Sequence, residues 1–293
     1  MSAPIPAAHG LPAHRSLREL FASQECLIAS SVFDPVSARF AKALGSEVGV
    51  MGGSVASHAV LGAPDIVLLT ASELVEQARR ICRLEAVNLV VDADHGYGNA
   101  LNAMRVVQEL QAAGVAATCI EDSILPRAYG GSDTQGLISI DEGIKKMQAA
   151  VQARGTGPML VVARTNANGS EGPQEAARRL VAYQETGVDA LFVPYLNNKE
   201  ELEIITKDLK LPIMIAGSDT SIFDREDLAR RGVKAWLWGH QPFTVAAQAL
   251  FEAMKAVQEG VTPSDLVQPN AKAALAMATD ALGYEQLTEK YLK

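Results

Sequence analysis

The 293-residue chain has only three cysteines, Cys26, Cys82 and Cys119. They are odd in number and widely spaced, which suits neither a metal-binding cluster nor a disulfide framework. Cys119 lies inside an apolar run and is expected to be a buried thiol. Positive charge is also scarce: 26 Lys and Arg against 34 Asp and Glu leave a formal net charge of -8, with no basic stripe. Nucleic-acid binding therefore lacks its usual electrostatic footprint. No apolar run approaches the ~20 residues that a membrane-spanning helix needs. The opening MSAPIPAAHGLPAHR lacks the charged-then-apolar order of a signal peptide. It reads as a flexible arm over 1–15, in which His9 and His14 are solvated bystanders. The expected compartment is the cytoplasm. Neither a G-x-G-x-x-G after the first strand nor a P-loop is present, so two common nucleotide-binding schemes fall away.

What the chain does have is apolar residues, 48% of the total, in a repeating order. Eight short runs read as strands: CLIASSVF, EVGVMG, NLVVDAD, VAATCIED, MLVVARTN, DALFVPY, LPIMIAG and VKAWLWG. Their near-continuous apolar character suits strands covered on both faces. Helical patterns lie between them, several stopped by a glycine: Gly45, Gly114, Gly155, Gly187 and Gly232. About eight strand–helix units predict a closed (β/α)8 barrel of the α/β class. An open doubly wound sheet is the structural alternative. The chain reads as a single barrel domain over 1–293, with helical segments from about Thr262 forming a C-terminal extension over 262–293.

In such a barrel the chemistry sits at the C-terminal ends of the strands. The most informative end is VVDADHGYGN (Val90 to Asn99). Alternation along a strand puts Asp92 and Asp94 on one side, and paired carboxylates suit a hard divalent cation. Tyr97 is a candidate supporting hydroxyl. The fourth strand ends in Glu121–Asp122. Carboxylates so gathered need a cation or protons to neutralise them. After the second strand, Gly52, Gly53 and Ser54 can present backbone N–H groups and a hydroxyl to an oxyanion, although a Gly-Gly-Ser is also common loop chemistry. Asp65 follows in a loop, where a turn or capping role is equally open. Arg164, ending the fifth strand, suits a carboxylate, or simply pairs with a nearby acid. His240 follows the eighth strand, where a capping role competes with a catalytic one. His58 has no evident partner. The glycine-rich stretch from Pro126 to Gly136 is the candidate closing loop.

Taken together, SVFDPVSARFAKALG, MGGSVAS, DADHGYGNA, the IED after the fourth strand and ARTNA resemble the phosphoenolpyruvate mutase/isocitrate lyase superfamily. The resemblance implies a (β/α)8 barrel whose last helix is swapped between paired subunits, commonly a homo-oligomer built as a dimer of such dimers. It implies Mg²⁺, with Mn²⁺ as a possible substitute, chelated by a small 2-oxo acid. Carried over by position, Asp92 is the direct metal ligand, and Asp65, Asp94 and Glu121 support the metal shell. Gly53, Ser54, Arg164, His240 and Tyr97 bind substrate, with His240, Arg164 and Ser54 as the catalytic set.

The K-[KR]-C-G-H loop of the isocitrate and methylisocitrate lyases is missing from EDSILPRAYGGSDTQGLIS, as is the asparagine of the phosphonate-cleaving branches. GGSVAS, GYGNALNAMR and the GH pair look most like the oxaloacetate decarboxylase branch. The implied reaction is Mg²⁺-dependent decarboxylation of oxaloacetate to pyruvate and CO₂. The alternatives are a C–C lyase or hydrolase on another 2-oxo or 2-hydroxy acid, and a catalytically silent keto-acid-binding relative. Relatives in the decarboxylase branch can carry a tyrosine after the seventh strand, where this chain has Gly217 or Ser218.

Overall fold

Eight strands follow one another around a closed parallel barrel in sequence order. They are β1 (Leu27–Ser31), β2 (Val48–Met51), β3 (Asn88–Asp92), β4 (Ala117–Glu121), β5 (Leu160–Arg164), β6 (Ala190–Pro194), β7 (Ile213–Ala216) and β8 (Val233–Leu237). Pairing of β1 with β8 closes the ring. The computed structural model describes residues 15–130, 136–217, 223–267 and 270–293. The expected barrel is therefore the fold, and each strand lies within one of the eight runs read from the sequence. The N-terminal arm, His9 and His14 included, falls outside the described residues.

Two apolar clusters account for the barrel. Residues spaced by two along the strands point inward and fill the interior: Val48 and Val50, Ala117 and Cys119, Leu160 and Val162, Ala190 and Phe192. Their neighbours, among them Leu89, Val91, Ile120, Val161 and Leu191, face outward against the helices. This is the two-sided burial that near-continuous apolar strands require. A helix not evident from periodicity, Leu17–Ala22, joins the interior cluster through Leu17, Leu20 and Phe21. Ser16 and Glu19 close a reciprocal capping box at its start. The five glycines read as helix stops all have positive φ. All three cysteines are free thiols, and Cys119 is buried as expected.

The same period of two builds the site. One step beyond the innermost residues, the strands present Ser31, Asp92, Glu121, Arg164, Pro194 and Ala216 at one end of the barrel. Register places Glu121 directly beside Arg164 across β4 and β5. The tail forms the helices Pro263–Leu266, Ala271–Ala278 and Ala281–Leu292.

Candidate active site

A cavity of about 660 Å³ opens at this end, with walls from the ends of β2 through β8. Of the candidates read from the sequence, Gly53, Ser54, Asp65, Asp92, Asp94, Glu121, Arg164 and His240 all line it. Tyr97 does not: it is partly buried against the outer core, at φ +60°, with its ring 6.1 Å from that of His95. Its hydroxyl is buried without a hydrogen-bond partner among the described residues. His95 also turns away, its carbonyl accepting from the buried Lys146 Nζ at 2.8 Å. His58 stacks at a tilt on Phe243, 5.4 Å between centroids.

Arg164 organises the acidic wall. Its guanidinium donates to Asp92 through Nη1 and forms an ion pair with Glu121 Oε2 at 3.0 Å through Nε. Burial disfavours its charge, but Asp92 and then Glu121 outweigh this and hold it firmly protonated. Its plane also lies over Phe192, 5.3 Å from the ring centroid. Asn166 completes the cluster. Its Oδ1 accepts from Arg164 Nη2 at 3.0 Å, and its Nδ2 donates to Glu121 Oε2 and Ser123 Oγ, both at 2.8 Å. Of the two roles open to Arg164 in the sequence, the structure shows the pairing with nearby acids, and the side chain also lines the cavity.

Asp94 reaches the cavity differently from the expectation. The strand ends at Asp92, and Asp94 sits in a turn at φ +46° rather than one pleat further on. Asp94 N–H donates to Asp92 Oδ1 at 3.3 Å, and Asp94 carbonyl accepts from Glu121 N at 2.8 Å. Burial, then the neighbouring Asp92, Glu121 and Asp65, push its pKa up to about 8. A Cβ on Gly53 would lie 2.6 Å from Asp94 Oδ1, so only glycine allows this approach.

The Gly-Gly-Ser segment, read as a loop, begins a nine-residue helix, Gly53–Leu61. Its N-cap, Gly52, supplies no side-chain cap. The first backbone N–H groups of the helix have no intrahelical acceptor and carry the positive end of its dipole. Such a helix start suits an oxyanion. His240 closes the far side of Gly52: a Cβ there would meet Nε2 at 2.4 Å. Its Nδ1 shares a 2.7 Å hydrogen bond with Ser31 Oγ. Burial, with His58 adding to it, lowers the His240 pKa to about 4, so the ring is neutral near pH 7.

Ser31, Asn166, Arg127 and Tyr195 join the site without a signal of the kind that marks the strand-end acids. Ser31 was available from alternation, two residues after the inward Ala29. The other three come from loops, whose approach to the rim has no sequence period. Arg127 and Tyr195 both line the cavity.

The donor set tests the metal expectation. Four carboxylates, all hard oxygen donors, line one wall, and their mutual repulsion already raises Asp94. That excess suits a hard divalent ion. Among the described residues, no three His, Cys, Asp or Glu side chains form a ready-made cation cage. An ion here would therefore complete its shell with water and substrate oxygens, as Mg²⁺ does.

The chain matches the phosphoenolpyruvate phosphomutase family over residues 17–258. It is 46% identical over 278 residues to an oxaloacetate decarboxylase of Paraburkholderia xenovorans (strain LB400), covering 95% of this chain and 93% of that protein. It is also 46% identical to an oxaloacetate decarboxylase of Rhodopseudomonas palustris (strain BisA53), covering 86% of each. Among solved structures it resembles phosphonopyruvate hydrolase in complex with oxalate and Mg²⁺, with TM-score 0.80 and 27% identity, over 94% of this chain and 98% of that one. With a barrel of this order and a match spanning most of its length, the chain belongs to the phosphoenolpyruvate phosphomutase family.

Proposed function

We propose that the protein is an oxaloacetate decarboxylase, releasing CO₂ and pyruvate. The observation that carries this reading is one cavity in which an uncapped helix N-terminus, a carboxylate wall with Arg164 and a neutral histidine face each other. Two relatives at 46% identity bear that name. The only thiol lining the cavity, Cys119, is buried, and burial holds its pKa well above the ordinary range. It offers no ready proton donor of the kind a C–C lyase cysteine supplies.

Asp92 is the residue assigned to hold Mg²⁺ directly, with Asp65, Asp94 and Glu121 acting on its water shell; Mn²⁺ fits the same oxygen donors. When bound, the ion supplies a Lewis acid at the keto-acid end of the substrate. The chain's own groups do the rest. Backbone N–H at Gly53 and Ser54, with the Ser54 hydroxyl, hold the C1 carboxylate and face the oxygen on which charge grows. Arg164 balances the acids and orients the same end. The C3–C4 bond breaks, CO₂ leaves, and the electron pair of that bond forms the enolate of pyruvate, which then takes a proton at C3 from water. In the tautomer with Ser31 donating to Nδ1, His240 carries its proton on Nε2 and, beside Gly52, acts as a neutral hydrogen-bond donor at the keto-acid end. Phe192, Pro194, Ala216 and Leu237 give the cavity an apolar wall.

Three further assignments belong to this reading. The chain is one barrel domain with its C-terminal helices as an extension. It works in the cytoplasm; among the described residues no helix is long and apolar enough to cross a membrane. Helix Gln241–Gln258, which buries none of its residues, packs on a second copy in a swapped dimer, and two such dimers form the homo-oligomer.

Pyruvate formation from oxaloacetate, assayed with and without Mg²⁺, tests the proposal. The expected result is metal-dependent turnover well above the solution background; none at saturating Mg²⁺ rejects it. Asp92→Asn is expected to reduce that turnover to background while the protein stays folded by circular dichroism.

A further inference from the structure

Tyr195 follows β6 and lines the cavity, yet it occupies the left-handed region at φ +63°. For a bulky aromatic residue this is an outlier, and such strain persists only where the surroundings enforce it. Here they do so from three sides. Tyr195 N–H donates to Ala216 carbonyl at 3.2 Å, tying it to the end of β7. Its carbonyl accepts from Asn168 Nδ2 at 2.7 Å and from Asn197 Nδ2 at 3.2 Å. Asn168 is buried and is itself held by Glu201 Oε2 at 3.0 Å. The ring rests over Gly169, where a Cβ would stand 3.3 Å from Cδ2. The Asn168–Gly169 pair belongs to the short helix Ala167–Ser170 that follows β5 and Arg164, so the clamp ties Tyr195 to the acidic wall.

Strand order gives the clamp a purpose. In a closed ring of eight, β6 lies opposite β2. A substrate whose C1 end sits on the N–H groups at Gly53 and Ser54 extends across the cavity toward β6. Of the side chains that the end of β6 itself brings to the cavity, Phe192 and Pro194 offer nothing polar, and Tyr195 carries one hydroxyl. The geometry points to Tyr195 as the specificity-determining residue, its phenol donating a hydrogen bond to the distal carboxylate of a four-carbon 2-oxo diacid. This rests on the decarboxylase reading for the direction in which substrate lies. A neutral donor suits the task. It holds the distal carboxylate in place without the full ionic stabilisation that an arginine would give a group about to lose its charge, which would raise the barrier.

The test separates this inference from the reading beneath it. Binding of malate and of oxalate to the full chain is measured by calorimetry at saturating Mg²⁺. Both have an α-oxygen chelating end, but only malate has a distal carboxylate at four-carbon reach. Tyr195→Phe is expected to weaken malate by about tenfold or more and leave oxalate unchanged. It is also expected to raise the KM for oxaloacetate more than it lowers kcat. Equal losses for both ligands, or no loss for malate, overturn the inference. If the unaltered protein fails to turn over oxaloacetate, the decarboxylase reading fails alone, and the malate-to-oxalate ratio still decides the role of Tyr195. As an independent check on the strained backbone, Tyr195→Gly is expected to melt above Tyr195→Ala, because only glycine takes the left-handed conformation without cost. The reverse order overturns the clamp.

Discussion

His240 shows how one side chain acquires a property its residue type does not have. Packed against Gly52 and bonded to Ser31, it is half-buried, and the lost hydration lowers its pKa to about 4. The unfolded chain takes up that proton near pH 6.5, whereas the folded protein takes it up only near pH 4. Below pH 6.5 the unfolded state therefore binds more protons, so stability contributed by the neutral ring is full above pH 6.5 and is lost as the pH falls toward 4. Denaturant melts at pH 7.5 and 5 are expected to show a smaller loss of stability for His240→Asn than for the unaltered protein. An identical loss in both would remove His240 as a buried neutral group. The neighbouring Gly52 carries a different lesson. In the sequence it reads as loop chemistry, but it is required because an imidazole fills the space where a side chain would stand.

At the scale of elements, the ends of β4 and β5 are held from behind by a buried polar network. Asp122, fully buried, accepts through Oδ2 from Thr165 Oγ1 at 2.8 Å, Tyr183 OH at 2.9 Å and Arg179 Nη1 at 3.1 Å. Thr165 follows Arg164, and Asp122 follows Glu121, so this network fixes the backbone beneath both functional side chains. Helix Pro173–Gln184 supplies Arg179 and Tyr183 and is thereby locked to the strand ends. Replacing Asp122 by Ala removes the shared acceptor of Thr165, Tyr183 and Arg179 and leaves the buried Arg179 charge with Glu175 as its one remaining ion-pair partner among the described residues. The expected cost is about 3–5 kcal/mol in chemical denaturation. Arg179→Met made together with Asp122→Ala removes both charges and is expected to recover part of that loss. Lack of any recovery would show that the pair does not act as a unit. Sequence alone marked Asp122 only as the partner of Glu121 at a strand end. Alternation gives it the opposite face, but neither Arg179 nor Tyr183 was foreseeable as its partner, because they lie 57 and 61 residues away.

For the whole molecule, the exposed apolar surface is concentrated in the C-terminal helices. In helix Gln241–Gln258, Val245, Leu250 and Phe251 are each 63% exposed and Met254 is 61% exposed. A contiguous apolar stripe of this kind on a folded chain marks an interaction surface. The swapped dimer of the proposed assembly covers it. Sedimentation velocity is expected to give an oligomer for the unaltered protein and a smaller species for Leu250→Glu/Phe251→Glu. A monomer for the unaltered protein at micromolar concentration would reject the assembly.

The order of eight strands and most helices was legible in the sequence because burial on both faces leaves continuous apolar runs, and helix stops leave glycines. The strand-end acids, Arg164 and His240 were legible for the same reason: each closes or follows such a run, and a parallel barrel gathers all those ends on one rim. Tertiary structure alone decided how the groups meet. Asp94 enters through a left-handed turn, Gly53 starts a helix, Tyr97 turns toward the outer core, and Tyr195 comes from a loop on the opposite wall. Period reports which side of an element a residue faces. The clamped turns and close approaches that complete the cavity depend on contacts between distant segments, and those leave no period to read.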